Sequence, residues 1–179
     1  MADRRILVDF EVDPPLTDEL RADLIELWRD VAEDGGAVGV SVPVDIEEVR
    51  ALAATSFGRC ERGEDHMVVA LIGFEPVGLV FLEQRPGPLF RHWATVKRLQ
   101  VHPILQGHGI GRSLLLAAQD FARAAGLEQL HLTVRGGTDT ERFYGRLGYR
   151  VVAVIPGVIR VDEGDDRDEI YMIAALDGP

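Results

Sequence analysis

Residues 99–115, LQVHPILQGHGIGRSLL, carry an apolar stretch into a proline and then set Gly107, Gly109 and Gly111 at alternate positions ahead of a run of leucines. Glycines in alternation strip a turn of side chains. The apolar spacing that follows, Ile110, Leu114, Ala117, Ala118, Phe121 and Ala125 with Gly126 behind it, predicts an amphipathic helix. The segment reads as strand, bare turn, helix. First-turn N–H groups of such a helix have no intrahelical acceptor, and together with the positive end of the helix dipole they suit a pyrophosphate.

Two nucleotide motifs fail on register. A dinucleotide-binding turn needs G-x-G-x-x-G, and the sixth position is Arg112 counted from Gly107 or Leu114 counted from Gly109. A P-loop needs Lys and then Ser or Thr after its last glycine, whereas Gly111 is followed by Arg112 and Ser113. No acidic residue closes the strand that ends near Val134, and the glycine turn comes late, after a run of strands. A ligand with a pyrophosphate and a long amide-bearing arm fits better. Leu99 and Val101 share one face of their strand, and if that strand splays from its neighbour after Pro103, its backbone groups are free to pair with such an arm. Coenzyme A has both parts.

The rest of the chain supplies a frame for this unit. RILVDFEV (5–12) predicts a strand that turns at Asp13-Pro14-Pro15. Leu20, Leu24, Leu27, Trp28 and Val31 predict a helix capped by Thr17 and stopped at Gly35-Gly36. A second helix starts at Asp45, with Glu48 as its capping partner, and uses Ile46, Val49, Ala53 and Phe57. Two strands over 66–84 are expected to meet at Glu75-Pro76, a third runs over 92–103, and EQLHLTV (128–134) follows the glycine helix as another strand. A short helix over 138–147 and strands YRVVAVI and DEIYMIAAL close the series. The order is β-α-α-β-β-β-α-β-α-β-β, an α+β (mixed αβ) class, and the length suits a single domain over residues 1–179.

Composition narrows the partners. With 30 acidic and 19 basic residues the net charge is −11, a field that repels nucleic acid and anionic membranes and draws in cationic molecules. No run of residues has the length and apolarity of a membrane span, and the first residues lack a secretory h-region. One cysteine, Cys60, forms no internal disulfide and no cysteine-based zinc site, so a cytoplasmic location is expected. His66, His92, His102, His108 and His131 include no i, i+4 pair, and no metal site is expected. The acidic run VDEGDDRDE (161–169) has its glycine too early for an EF-hand and reads as a solvated hairpin tip, with a border to a cationic acceptor as the second reading.

The motifs resemble those of the GNAT superfamily of N-acetyltransferases. Its acetyl-CoA motif is Gln or Arg, two residues, Gly, one residue, then Gly or Ala. Gln106, Gly107, His108, Gly109, Ile110 and Gly111 match it throughout. LQVHP resembles the family's fourth strand, and RFYGRLGYR (142–150) resembles its F-Y-x-x-x-G-F/Y element, which contains Phe143 and Tyr144. The resemblance implies a central, mostly antiparallel sheet of about seven strands flanked by about four helices. It implies backbone pairing of the pantetheine arm near Leu99 and Val101, acetyl-CoA as co-substrate, and Tyr144 as general acid for the leaving thiolate. One departure is Gly137, which stands where many members carry asparagine, so that role passes to Thr138, backbone or water. Some members place a glutamate at the site equivalent to Thr95, so the resemblance assigns no general base here.

The expected reaction is direct attack by an amine on the thioester in a ternary complex. An alkylamine of pKa about 10.4 costs roughly 4.6 kcal/mol to deprotonate at pH 7, so a base is required. Glu83, His131 and His102 are the candidates. Backbone N–H near Val101 would polarise the carbonyl, while Arg112, Ser113 and Arg146 would face the phosphates. A non-catalytic acyl-CoA sensor and a transferase of larger acyl groups stay open as alternatives, as does a homodimer built on edge strands.

Overall fold

The computed structural model describes residues 7–40 and 42–176. Its element order is the expected one: β1 (Asp9–Val12), α1 (Asp18–Glu33), α2 (Ile46–Glu61), β2 (Asp65–Ile72), β3 (Glu75–Glu83), β4 (Trp93–Val101), α3 (Ile110–Ala124), β5 (Gln129–Arg135), α4 (Thr140–Gly145), β6 (Arg150–Asp162) and β7 (Asp165–Ala175). The seven strands form one mixed sheet in the order β1-β2-β3-β4-β5-β7-β6. Strands β4 and β5 run parallel, and the β1–β2, β5–β7 and β6–β7 pairs are antiparallel. The fold is α+β, as expected.

Two compact units divide the chain: Met1–Phe81 with Arg98–Ala118, and Leu82–Lys97 with Gln119–Pro179. The first is built by local signals that hold. Thr17 accepts the Leu20 N–H at 3.2 Å, and Asp18 and Glu19 complement the dipole of α1. Asp45 caps α2 by accepting from Glu47 N at 2.9 Å. The apolar stripes of the two helices bury Leu24, Leu27, Trp28, Val31, Val49, Ala53 and Phe57 against Met67, Val69, Leu79 and Phe81 of β2 and β3. Trp28 and Phe81 lie 5.9 Å apart in a tilted pair, and Trp28 Nε1 donates to Val38 O at 3.1 Å. Each large side chain buried in this way contributes about 1.5–3 kcal/mol.

In the second unit, β5 alternates as a strand with one covered face should. Leu130, Leu132 and Val134 are buried, and so are Ile170, Met172 and Ala174 of β7. Gln119 of α3, itself buried, donates from Nε2 to Leu147 O at 3.0 Å and ties the helix to the chain that follows α4.

Several boundaries differ from the sequence reading. Arg5 and Ile6, expected in the first strand, lie outside the described residues, and β1 begins at Asp9. The β2–β3 turn is Gly73-Phe74, while Glu75 and Pro76 belong to β3. A two-residue turn needs a left-handed residue, which Gly73 supplies at φ +64° and a proline, locked near −65°, cannot. The buried face of α3 carries Ile110, Leu114, Leu115, Ala118, Gln119 and Ala122, whereas Ala125 is exposed. A glutamine inside that stripe hid the true face from a reading based on apolar residues alone. The fourth helix is shorter than expected, Thr140–Gly145. The β6–β7 hairpin is longer, because most of the acidic run lies within its strands and leaves only Glu163-Gly164 as the turn.

Candidate active site

The glycine turn belongs to the first unit. Strand β4 pairs with β5 at Trp93, Ala94 and Thr95, and then runs on to Val101 through Arg98, whose backbone is left-handed at φ +52°. The pairing therefore stops at Thr95, well before Pro103, the point after which the sequence suggests a splay. A left-handed non-glycine residue within a strand is the kind of distortion that ends a regular ladder. The Arg98 guanidinium rests 5.3 Å above the Trp28 ring, and His102 N donates to Val77 O at 2.9 Å, so the end of the strand is held on both sides of Gln100.

Beyond Val101 the chain makes a single 3-10 turn at Pro103–Leu105, and Gln106 folds back so that its Nε2 donates to Val101 O at 3.1 Å. Gln106 thus closes the loop onto β4, a role that spacing alone did not reveal. Gly107 and Gly109 are left-handed at φ +79° and +82°. A Cβ at either would meet nothing within 4 Å, so it is the sign of φ, not crowding, that calls for glycine. Gly111 needs no such conformation and is already the second residue of α3. His108 Nδ1 lies 3.0 Å from Gln106 O and 3.3 Å from Leu105 O, so its ring braces the loop.

Ser113 N–H donates to Gly109 O at 3.0 Å, which makes the N–H groups of Ile110, Gly111 and Arg112 the first-turn donors of a helix of 15 residues. The Ile110 side chain is buried, so only its backbone can serve a ligand, while Arg112 and Ser113 are exposed beside it. Leu99 is half-buried and Val101 buried. Between them Gln100 is 2 % exposed, and both polar atoms of its side chain have no hydrogen-bond partner among the described residues. The sequence carried no signal for that residue.

The second unit holds the other candidates. Tyr144 of α4 is buried and makes T-shaped contacts with Phe143 at 5.0 Å and Tyr149 at 5.6 Å. Burial pushes the Tyr144 phenol up to about 12 and raises Tyr149 as well, so both keep their protons at neutral pH. The buried Tyr149 hydroxyl has no hydrogen-bond partner among the described residues, the nearby Gln119 amide being committed through Nε2 to Leu147 O.

His131 stacks on Trp93 with centroids 4.0 Å apart and planes 12° from parallel, and its Nε2 lies 3.1 Å from Gln129 Oε1. Burial first, and then the charge of His92, lowers its pKa, so the ring is neutral at pH 7. Glu83 is half-buried at the end of β3, and Arg146 is exposed just beyond α4.

The departure at Gly137 has a physical reason. Its φ is +78°, and a Cβ there would lie 2.5 Å from Arg167 Nη1, so an asparagine would have to displace that guanidinium. The Thr138 hydroxyl beside it donates to Arg135 O at 2.8 Å and lies 2.6 Å from Thr140 Oγ1. The acidic hairpin is largely engaged with itself. Asp166 pairs with Arg160 at 2.7 Å, Asp165 pairs with Arg167, and Asp168 Oδ1 accepts from Gly157 N at 3.1 Å. Among the described residues no group of three or more His, Cys, Asp or Glu could hold a metal ion, and no helix is long and apolar enough to cross a membrane.

A parallel β4–β5 pair joined by a helix behind a left-handed glycine turn, inside a seven-stranded mixed sheet, defines a class of fold shared with several solved structures. The yncA protein of Salmonella typhimurium, solved with its cofactor acetyl-CoA, is 23% identical with a TM-score of 0.74, covering 95% of this chain and 94% of its own. A ribosomal-protein-alanine N-acetyltransferase of Brucella melitensis is 21% identical with a TM-score of 0.72, covering 94% and 99% respectively. Residues 21–149 match the model of the acetyltransferase (GNAT) family, and the chain belongs to that family. Among curated relatives, mouse N-alpha-acetyltransferase 80 is 37% identical over 67 residues, a match that spans 37% of this chain and 20% of the mouse protein.

Proposed function

We propose that residues 1–179 act as a single N-acetyltransferase domain that moves an acetyl group from acetyl-CoA to an amine of a small molecule, peptide or protein. The observation that carries this reading is the turn at Gly107 and Gly109, whose left-handed backbone delivers the first-turn N–H groups of α3 at the end of β4. It is the arrangement a pyrophosphate requires. Gly107, Gly109, Ile110, Gly111 and Arg112 would hold the phosphates through backbone N–H, joined by the Arg112 and Ser113 side chains. Gln106 and His108 keep the loop in shape, and Leu99 and Val101 would receive the pantetheine arm along the backbone.

In the reaction the amine nitrogen bonds to the acetyl carbon, the carbon–sulfur bond breaks, and the coenzyme leaves as a thiolate. Backbone N–H near Val101 would stabilise the oxyanion. Tyr144 supports the leaving sulfur as a hydrogen-bond donor. With its phenol near 12 against an ordinary thiol near 8.5, complete proton transfer in the unliganded protein is uphill by about 5 kcal/mol. Burial of the phenol therefore favours a shared proton, with the proton lost by the amine as the final source. His131, Glu83 and His102 remain the candidates to take that proton, and the neutral ring of His131 meets the first condition for doing so. A cationic acceptor suits the chain's charge of −11, and a reducing, cytoplasmic setting suits its single cysteine.

The test has two parts. Calorimetric titration with acetyl-CoA, with NADH and ATP as controls, should give saturable binding of acetyl-CoA alone; no binding would sink the proposal. Tyr144→Phe should then keep coenzyme affinity within about twofold while amine-dependent thiol release falls on the order of tenfold to a thousandfold. Wild-type binding without turnover across an amine panel would favour the sensor reading, and a preference for longer acyl-CoA would favour a different acyl group.

A further inference from the structure

From Gln84 to Gln119 the chain holds no aspartate or glutamate, yet it holds Arg85, Arg91, Lys97, Arg98 and Arg112, in a protein whose net charge is −11. Arg112 stands beside the glycine turn, and Arg98 rests on Trp28. Arg85 and Arg91 belong instead to the second unit, on the loop between β3 and β4. Both are exposed, and neither has an ion-pair partner among the described residues.

The loop is shaped to present them. Pro86 and Pro88 fix their own φ, Gly87 between them takes a φ of +105°, and a single 3-10 turn runs over Pro88–Phe90. The Arg85 guanidinium lies 4.1 Å from the centre of the Phe90 ring and 5.9 Å from that of Trp93. Phe90 meets Trp93 edge-on at 6.3 Å, and Trp93 in turn stacks on His131. A guanidinium that rests on aromatic faces keeps its N–H edge free for a carboxylate. Leu89, at the tip of the loop, is 79% exposed. Arginine and aromatic side chains are the residues that most often anchor a protein interface.

We propose that this loop is a docking surface for an acidic segment of a partner protein, which sets carboxylates against Arg85 and Arg91 and an apolar side chain against Leu89 and Phe90. Charge complementarity selects the occupant. The two unpaired guanidinium groups call for anions, and Leu89 calls for an apolar group beside them. A nucleic acid strand brings many phosphates and no apolar side chain, and a field of −11 repels it. A peptide with a few carboxylates meets mainly the local field, because charges beyond about 8–10 Å are screened at physiological salt. Glu83, at the end of β3, and Glu128, whose N–H donates to His92 O at 2.7 Å, border the cationic surface and limit its extent. Arg85, Leu89 and Arg91 take no part in the proposed acetyl transfer, so docking and catalysis are separable by experiment.

The test is fluorescence polarisation of the full chain with a labelled, N-acetylated peptide in which leucine and phenylalanine are flanked by glutamates. Saturable binding with a Kd on the order of 10–100 μM is expected, weakening severalfold between about 50 and 200 mM salt. Arg85→Ala and Arg91→Glu should each weaken binding on the order of tenfold. Arg85→Lys should weaken it too, because an ammonium keeps the charge but loses the planar fork and its stacking. Arg50→Glu, at an exposed residue of α2, changes the net charge as much as Arg91→Glu and should leave binding unchanged. Thermal melts establish that each variant folds, and Arg91→Glu removes no aromatic contact of the loop. Absence of saturable binding, equal binding of a peptide with glutamines in place of the glutamates, or equal losses in Arg50→Glu and Arg91→Glu would each overturn the proposal. So would displacement of the peptide by a single-stranded oligonucleotide at lower concentration than by unlabelled peptide.

Discussion

Gly109→Ala separates the phosphate role of the glycine turn from its backbone cost. Gly109 sits at φ +82°, and an added Cβ would touch nothing within 4 Å, so the steric cost to neighbours is nil. What remains is the left-handed conformation, which costs an alanine roughly 1–2 kcal/mol. For a chain of this size that lowers Tm by about 2–8 °C.

The turn can relieve the strain only by rotating Gly109 toward negative φ. That rotation moves the Gly109 carbonyl, to which Ser113 N–H is bonded, and with it the aim of the first-turn donors. Loss of one charge-assisted phosphate hydrogen bond, about 1.5–3 kcal/mol, weakens acetyl-CoA binding at least about tenfold. Gly126→Ala is the matched control. Gly126 follows the other end of the same helix at φ +80°, also with no atom within 4 Å of its Cβ position. It should show the same loss of Tm with unchanged affinity. Melting curves and calorimetric titration on both variants decide the matter. Equal loss of affinity in both, or none in Gly109→Ala, would refute the argument that this turn holds phosphate.

Two further outcomes follow from the packing and the ion pairs. Phe81→Ala removes a fully buried ring from between Trp28 and Phe57 and should cost about 3–5 kcal/mol, a fall in Tm on the order of 10 °C in a thermal melt. His66 has its pKa raised above 6.5 by a hydrogen bond to Asp13 at 2.6 Å, outweighing burial, so its contribution to stability is complete below pH 6.5 and fades as pH rises through the raised value. Urea unfolding of wild type and Asp13→Asn between pH 5 and 8 should therefore show a gap on the order of 1 kcal/mol at the acid end that narrows toward pH 8. A gap that widens with pH would contradict the pairing.

The site was legible in the sequence where its chemistry depends on adjacent residues. Gly107, Gly109 and Gly111 announce a turn stripped of side chains and Ile110 with Leu114 announces the helix behind it, because both signals are local. It was illegible where distant segments meet. Nothing near Gly137 in the chain reveals that Arg167 lies against it. The burial that raises the Tyr144 phenol depends on Tyr149 and the rest of its surroundings, which no spacing encodes.

By itself the sequence determined the order of the elements, the caps at Thr17 and Asp45 and the glycine turn, since each follows from backbone preference or from a short hydrophobic period. Tertiary structure alone decided which residues of α3 face inward, where the pairing of β4 with β5 stops, and which strand is left at the sheet's end. The reason is that a period of 3.6 or 2 names a face but not its partner. The valines of YRVVAVI look like core in the chain and become an open edge only because β7 inserts between them and β5.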